Sequence, residues 1–339
     1  MRTITFIDAI QEAISEEMRA DDSVFVVGQD VRGAIFPHTA GLVEEFGPER
    51  VVDTPIAESG MYGVAFGAAQ EGMRPICDFM FGGFTYVTFS EASVTTGQYH
   101  FLHGSQRSLP LVITAGVGTG QRLANDHAMS IHGTFAHHPG IKVAMPSTPY
   151  DAKGMLNTAL AGSDPVVFFE SQRLYDIGEL FEKEVPEEYY EVPFGPPAQR
   201  RVGNDITIVT VGATMYRALE AADILQDKYG VSADVFDCRS ITPLDYEPLI
   251  ESVRKTGKVL LSSDACERGS VMQDIASNLS QLAFDELDAP PVVVGSRNWI
   301  TPCAEVESDF FPQPSWLLDA IHQRIMPLNG HVMSTNPTT

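Results

Sequence analysis

The sequence predicts an α/β protein built from two doubly wound domains. Short apolar runs rich in Val and Ile alternate with helical segments along almost all of the 339 residues, and strands alternating with helices imply parallel sheets covered on both faces. That alternation happens twice, interrupted once by a stretch rich in Glu and Pro. Such a length exceeds one ordinary core, and 44% hydrophobic residues suffice to fill two.

The start, "MRTITFIDAIQEAISEEM", is an amphipathic helix carrying acids, not a signal peptide. Strands follow at "SVFVVGQD", "RPICDFMF", "LPLVITAG", "IKVAMP" and "DPVVFFES", with a small-residue helix after Glu58. In "STPYDAKGMLNTALAG", Thr148 caps a helix and Pro149 fits its first turn. Asp151 favours the positive end of its dipole, and Met155, Leu156, Ala159 and Leu160 form its buried stripe. Residues 1–178 therefore make the first domain. Residues 179–203 lack periodicity and read as a linker. Residues 204–326 read β-α four times: "DITIVTVG", a helix with Met215, Ala218, Leu219, Ala222 and Leu225 on one face, then "SADVFDCR", "KVLLSSD" and "PVVVGSR". Residues 327–339 are a polar tail.

Composition excludes several functions. With 45 acidic against 22 basic residues, the formal charge of -23 repels a phosphate backbone and an anionic leaflet alike, so neither nucleic acid nor a membrane is an expected partner. No stretch approaches the roughly 18 unbroken apolar residues of a membrane span, and a cytoplasmic location is expected. Cys77, Cys238, Cys266 and Cys303 form no CxxC pair and sit mostly in apolar or strand-like settings, so reduced thiols are expected.

"GVGTG" at 116–120 is out of register for a dinucleotide fingerprint and reads as a turning loop. No Walker A, HExxH or GxSxG pattern occurs. His127, His132, His137 and His138 cluster, but His127 and His132 are five apart and diverge by about 140° on a helix, which argues against zinc. A single reactive histidine beside a cofactor suits the loop better. Glu58 has two readings. It is either an ordinary acid at a helix start or a functional carboxylate, since the Gly- and Ala-rich helix behind it lets a backbone or flat ring approach closely and Phe84 lies just past the next strand.

The segments "DTPIAESG", "GAAQEGMRPICDFMF", "HHPGIKVAMPSTPYDAKGMLNTAL", "DPVVFFE", "DCRSITPLD" and "SVRKTGKVLL" resemble the β subunits of 2-oxo acid dehydrogenase E1 components, of the pyruvate, branched-chain and acetoin type. The resemblance covers nearly the whole chain. It implies a transketolase-like pyrimidine-binding domain followed by a transketolase C-terminal domain, and thiamin diphosphate as cofactor. In the family a glutamate matching Glu58 hydrogen-bonds N1′ of the aminopyrimidine, an aromatic matching Phe84 stacks on that ring, and a histidine matching His127 serves the reacting centre or transfer to the acceptor.

The superfamily holds the diphosphate and Mg²⁺ with a GDG motif and a downstream Asn, and this sequence has no GDG. The resemblance therefore implies an E1 α subunit that supplies those ligands in an α2β2 heterotetramer. A structural K⁺ site of carbonyls is implied at Leu111, Ala159, Leu160, Gly162 and Asp164, with Gly162 replacing the usual acid.

The sequence also departs from its relatives. They read "GAQHSQ" around the histidine and carry an arginine after the preceding strand, where this chain has "ANDHAMSIHG" and Thr114, a change expected on the acceptor side. "LLSSDACERGS" and the tail lie where a lipoyl acyltransferase (E2) core would dock. The expected activity is decarboxylation of a small 2-oxo acid with acyl transfer to lipoamide. The alternatives are a β-type subunit of a two-component transketolase or acyloin-forming enzyme, and a non-catalytic scaffold subunit.

Overall fold

The structure, a computed structural model, describes residues 2–118, 123–175 and 185–334. Its contacts divide the chain into two units, the first holding nearly all residues up to Phe194 together with Ile241–Pro243, the second the remainder. The first unit runs α1 (Phe6–Ala20), β1 (Val24–Gly28), α2 (Leu42–Phe46), β2 (Val51–Asp53), α3 (Glu58–Gln70), β3 (Arg74–Phe81), α4 (Thr96–Leu102), β4 (Val112–Val117), α5 (Asn125–Ala128), α6 (His132–Ala136), β5 (Lys142–Ala144), α7 (Pro149–Ala161) and β6 (Val166–Ser171). Then come β7 (Ala198–Arg201), β8 (Ile206–Thr210), α8 (Thr214–Ile224), β9 (Ala233–Asp237), β10 (Ser240–Thr242), α9 (Glu247–Thr256), β11 (Val259–Cys266), α10 (Val271–Leu282), β12 (Val292–Ser296) and α11 (Pro314–Arg324).

The first sheet has the order β10-β5-β6-β4-β3-β1-β2, and β5, β6, β4, β3, β1 and β2 pair in parallel. β4 and β6 are buried at every position, which is why they read as near-continuous apolar runs. The chain leaves β1 for β2 on one side and returns to β3 on the other, so strand order reverses between β1 and β3. In open α/β sheets that reversal opens a crevice at the carboxyl ends of the strands. The second sheet, β12-β11-β8-β9-β7, is parallel apart from β7, which pairs antiparallel with β9.

Two doubly wound α/β sheets are thus present, with differences of detail. Ala198–Arg201, read as linker, is edge strand β7, because exposed Gln199 and half-buried Arg200 are anchored on Asp234 and Asp237 by side-chain bonds that composition does not reveal. Residues 179–184 of that stretch lie outside the described residues. α7 begins as expected, with Thr148 Oγ1 accepting from the Asp151 N–H at 3.1 Å. It is buried almost all round rather than along one stripe, because Lys153 and Asn157 are also covered. Lys153 Nζ lies 2.6 Å from Glu12 and 2.8 Å from Glu16 on α1, and Asn157 donates to the Tyr190 carbonyl. All four thiols are free, but Cys266 and Cys303 are exposed, unlike Cys77 and Cys238. Part of the polar tail is tied down: His331 Nε2 lies 2.7 Å from Asp319 Oδ1, and the Ser334 N–H donates to Asp319. Residues 335–339 lie outside the described residues. Among the described residues no helix is long and apolar enough to cross a membrane.

Candidate active site

The carboxyl end of β3 shapes one wall. Asp78 Oδ1 accepts from the Met80 N–H at 2.7 Å, and Met80 takes a left-handed φ of 59°, so the strand turns sharply after Phe81 into the helical turn Gly82–Thr88 that carries Phe84. Gly82 and Gly83 are required there. A Cβ on Gly82 would lie 2.7 Å from Val117, and one on Gly83 would lie 2.7 Å from the Asp126 carbonyl. This close approach brings His127 to the turn: its ring centroid lies 4.5 Å from that of Phe81 and 5.4 Å from that of Phe84, both edge-on. Gln172, just past β6, donates its side-chain amide to the His127 carbonyl and fixes that segment from the other side.

Glu58 opens α3, whose cap residue Ala57 offers no side-chain bond. The carboxylate is half-buried and has no hydrogen bond or ion pair among the described residues. Its neighbour Ser59 donates to the Val87 carbonyl at 3.4 Å, which ties the head of α3 to the turn carrying Phe84. The structure therefore joins Phe84 to His127 directly and Glu58 to their turn through Ser59.

The five carbonyl positions lie elsewhere. Leu111 precedes β4 and its carbonyl accepts from the Val166 N–H that opens β6, so the set sits at the amino ends of the strands. Arg74 donates to the Gly162 and Ala161 carbonyls at 2.9 Å, a cation at the C-terminus of α7, and Asp164 is paired with Lys142 at 2.8 Å. The "GVGTG" stretch begins inside β4, and a Cβ on Gly116 would meet the Met80 carbonyl at 3.0 Å and Tyr175 Oη at 3.3 Å. That glycine serves close packing, while residues 119 and 120 lie outside the described residues.

Sequence reasoning missed the layer beneath this wall. His38 is buried between two carboxylates, with Nε2 2.9 Å from Asp78 Oδ2 and Nδ1 3.3 Å from Glu170 Oε2. Tyr175 donates to the same Glu170 oxygen at 2.8 Å. Burial pushes the imidazole down, but Glu170 and Asp78 together outweigh it and hold His38 up at about 10. His132, equally buried, has neither ring nitrogen partnered among the described residues, and burial alone drives it down to about 4. Asp78 and Glu170 did leave a trace, as lone acids near the ends of "RPICDFMF" and "VVFFES". His38 left none.

Residues 2–177 match the transketolase pyrimidine-binding domain and residues 197–316 the transketolase C-terminal domain. Fold and domain matches together therefore define a chain of the thiamin-diphosphate-dependent transketolase class. It is 44% identical over 292 residues to the 2-oxoisovalerate dehydrogenase subunit beta of Bacillus subtilis (strain 168), covering 86% of this chain and 88% of the relative. It is 38% identical to the pyruvate dehydrogenase E1 component subunit beta of that organism, covering 94% and 98%. A third relative there is the acetoin:2,6-dichlorophenolindophenol oxidoreductase subunit beta, 38% identical with 92% and 94% covered. The chain belongs to the family of 2-oxo acid dehydrogenase E1 β subunits. Among solved structures, a split-gene transketolase described as an inactive β4 tetramer aligns with a TM-score of 0.76 over 95% of this chain and 98% of that one. At 22% identity that likeness speaks for the fold.

Proposed function

We propose that this chain is the β subunit of a cytoplasmic enzyme that decarboxylates a small 2-oxo acid and passes the acyl group to lipoamide, active only with an α subunit in an α2β2 heterotetramer. One observation carries the reading: Glu58, a half-buried carboxylate at the positive end of α3, has no hydrogen bond or ion pair within its own chain among the described residues and stands beside the turn that bears Phe84. A carboxylate so placed fits a ligand N–H, and a half-buried aromatic beside it fits a flat ring.

Thiamin diphosphate, when bound, supplies the carbon nucleophile that attacks the 2-oxo group and the electron sink for the departing CO₂. Glu58 would hydrogen-bond N1′ of its aminopyrimidine and share a proton there, and Phe84 would stack on the ring. His127, held through its carbonyl by Gln172 and packed edge-on by Phe81, would hold or move a proton at the reacting end or in transfer to the acceptor. Mg²⁺ and the diphosphate are assigned to the α partner, since this sequence has no GDG. For K⁺ the fit is poorer: Arg74 and Lys142 already place positive charge on the Gly162 carbonyl and the Asp164 carboxylate, so we give K⁺ no part in the reaction. Two exposed free thiols suit a reducing compartment.

A second reading, transfer to an aldehyde or sugar, is favoured by "DHAMS" around His127 where relatives carry "HSQ". Affinity purification from native cells with mass spectrometry separates the two. A partner carrying GDG together with a lipoyl acyltransferase is the expected result, supported by lipoamide-dependent turnover of 2-oxo acids. The same partner with carbon–carbon bond formation and no lipoyl protein selects the second reading, and no such partner overturns both.

A further inference from the structure

We infer that His38 is a positioning residue: a buried cation that locks Asp78 and Glu170 together beneath the candidate site and thereby fixes the two segments that present Phe84 and His127. The inference rests on the site reading above, but its first test does not.

The backbone forces the two carboxylates to one place. β4 lies between β3 and β6, with Asp78 in register with Thr114 and Glu170 in register with Gly116. Residues two apart on a strand share a face, so Asp78 and Glu170 stand on the same side of the sheet, 3% and 0% exposed. Two carboxylates in a dry site cannot both ionise without a compensating charge. β4 offers none, because Thr114 and Gly116 face them. Among the described residues the other titratable group turned toward the pair is Tyr175, whose hydroxyl is already given to Glu170. His38 alone supplies a positive charge among the described residues, hydrogen-bonded to Asp78 through Nε2 and within ion-pair distance of Glu170, at 3.3 Å, through Nδ1.

Each carboxylate leads into the site. Asp78 accepts from Met80, setting the turn that aims Phe81 at Phe84 and His127. Glu170 leads within two residues to Gln172, which holds the His127 carbonyl. Loss of the imidazolium forces one carboxylate to take up a proton and removes the cation that both share, so both segments lose their common anchor at once. Thr114 lies between them with no hydrogen-bond partner for its hydroxyl among the described residues. An arginine planted there offers a permanent cation with five N–H donors in the same gap.

The first test is a pH titration of the full chain by long-range ¹H–¹⁵N NMR of its histidine rings, with melting temperature followed over the same range. One ring is expected to stay protonated on both nitrogens at pH 9, when ordinary histidines are neutral. The unfolded imidazole titrates near 6.5 and the folded one near 10, so the stabilisation is full below 6.5 and is lost as pH rises through about 10. No doubly protonated ring at pH 9 overturns the inference, whether or not the chain is an enzyme. The second test uses the complex with its α partner. His38→Ala is expected to weaken thiamin diphosphate binding about tenfold, and His38→Ala/Thr114→Arg to recover most of that loss with a flat alkaline pH profile. If His38→Ala fails to assemble, the NMR titration still decides. Cofactor binding unchanged in an assembled His38→Ala complex overturns the positioning role.

Discussion

Helices α3 and α7 each have 13 residues and lie in the same unit, yet they are built on opposite plans. α7 has a side-chain cap at Thr148, proline in its first turn and ten buried residues, and it sends a lysine ammonium into the acids of α1. α3 has no side-chain cap and four buried residues, and its glycines leave open space: a Cβ at Gly63 or Gly67 meets nothing within 4 Å. Its one acid has no salt bridge among the described residues. The first helix holds the fold together. The second is held by it and presents Glu58 and a small-residue face outward, as expected of an element completed by a partner and a cofactor.

The contrast breaks hardest at Lys153. Lys153→Ala leaves Glu12 and Glu16 without their shared cation and should cost about 3 kcal/mol, at the low end for buried pairs because both acids keep some solvent. Urea unfolding should show it as a lower midpoint at unchanged slope. Thr148→Ala removes the α7 cap and should cost about 1 kcal/mol in the same assay. On α3 the sign reverses. Gly67→Ala should stabilise the isolated chain by about 0.5–1 kcal/mol, since alanine lowers the entropy cost of the helix and meets nothing, while weakening assembly with the α partner measured by analytical ultracentrifugation. Glu58→Gln should move the isolated chain least, by about 0.5 kcal/mol or less, the worth of one acid at a helix N-terminus.

Much of this was legible in the sequence. Apolar periodicity located most of the strands, though not the short β2, β7 and β10, and Thr148–Pro149 marked the start of α7, because these signals are local. Glu58 stood out as an acid at the head of a small-residue helix, and Phe84 and His127 followed from the family resemblance. What the sequence withheld depends on register across the sheet. His38 follows β1 and meets Asp78 of β3 and Glu170 of β6, contacts spanning 40 residues or more. Thr114, read as following a strand, lies within β4, buried and in register with Asp78. His132 drew notice as part of a histidine cluster, yet its burial opposes protonation. Its share of stability is present above pH 6.5 and is lost as pH falls toward about 4, opposite in sign to His38.

The central claim is that Glu58 acts on the cofactor and not on the fold. It is tested most directly by turnover of a 2-oxo acid by the α2β2 complex carrying Glu58→Gln, with thiamin diphosphate affinity measured by calorimetry on the same sample. The account predicts turnover reduced by about 10²-fold or more with assembly intact and cofactor affinity within about threefold. Full turnover with bound cofactor would contradict it.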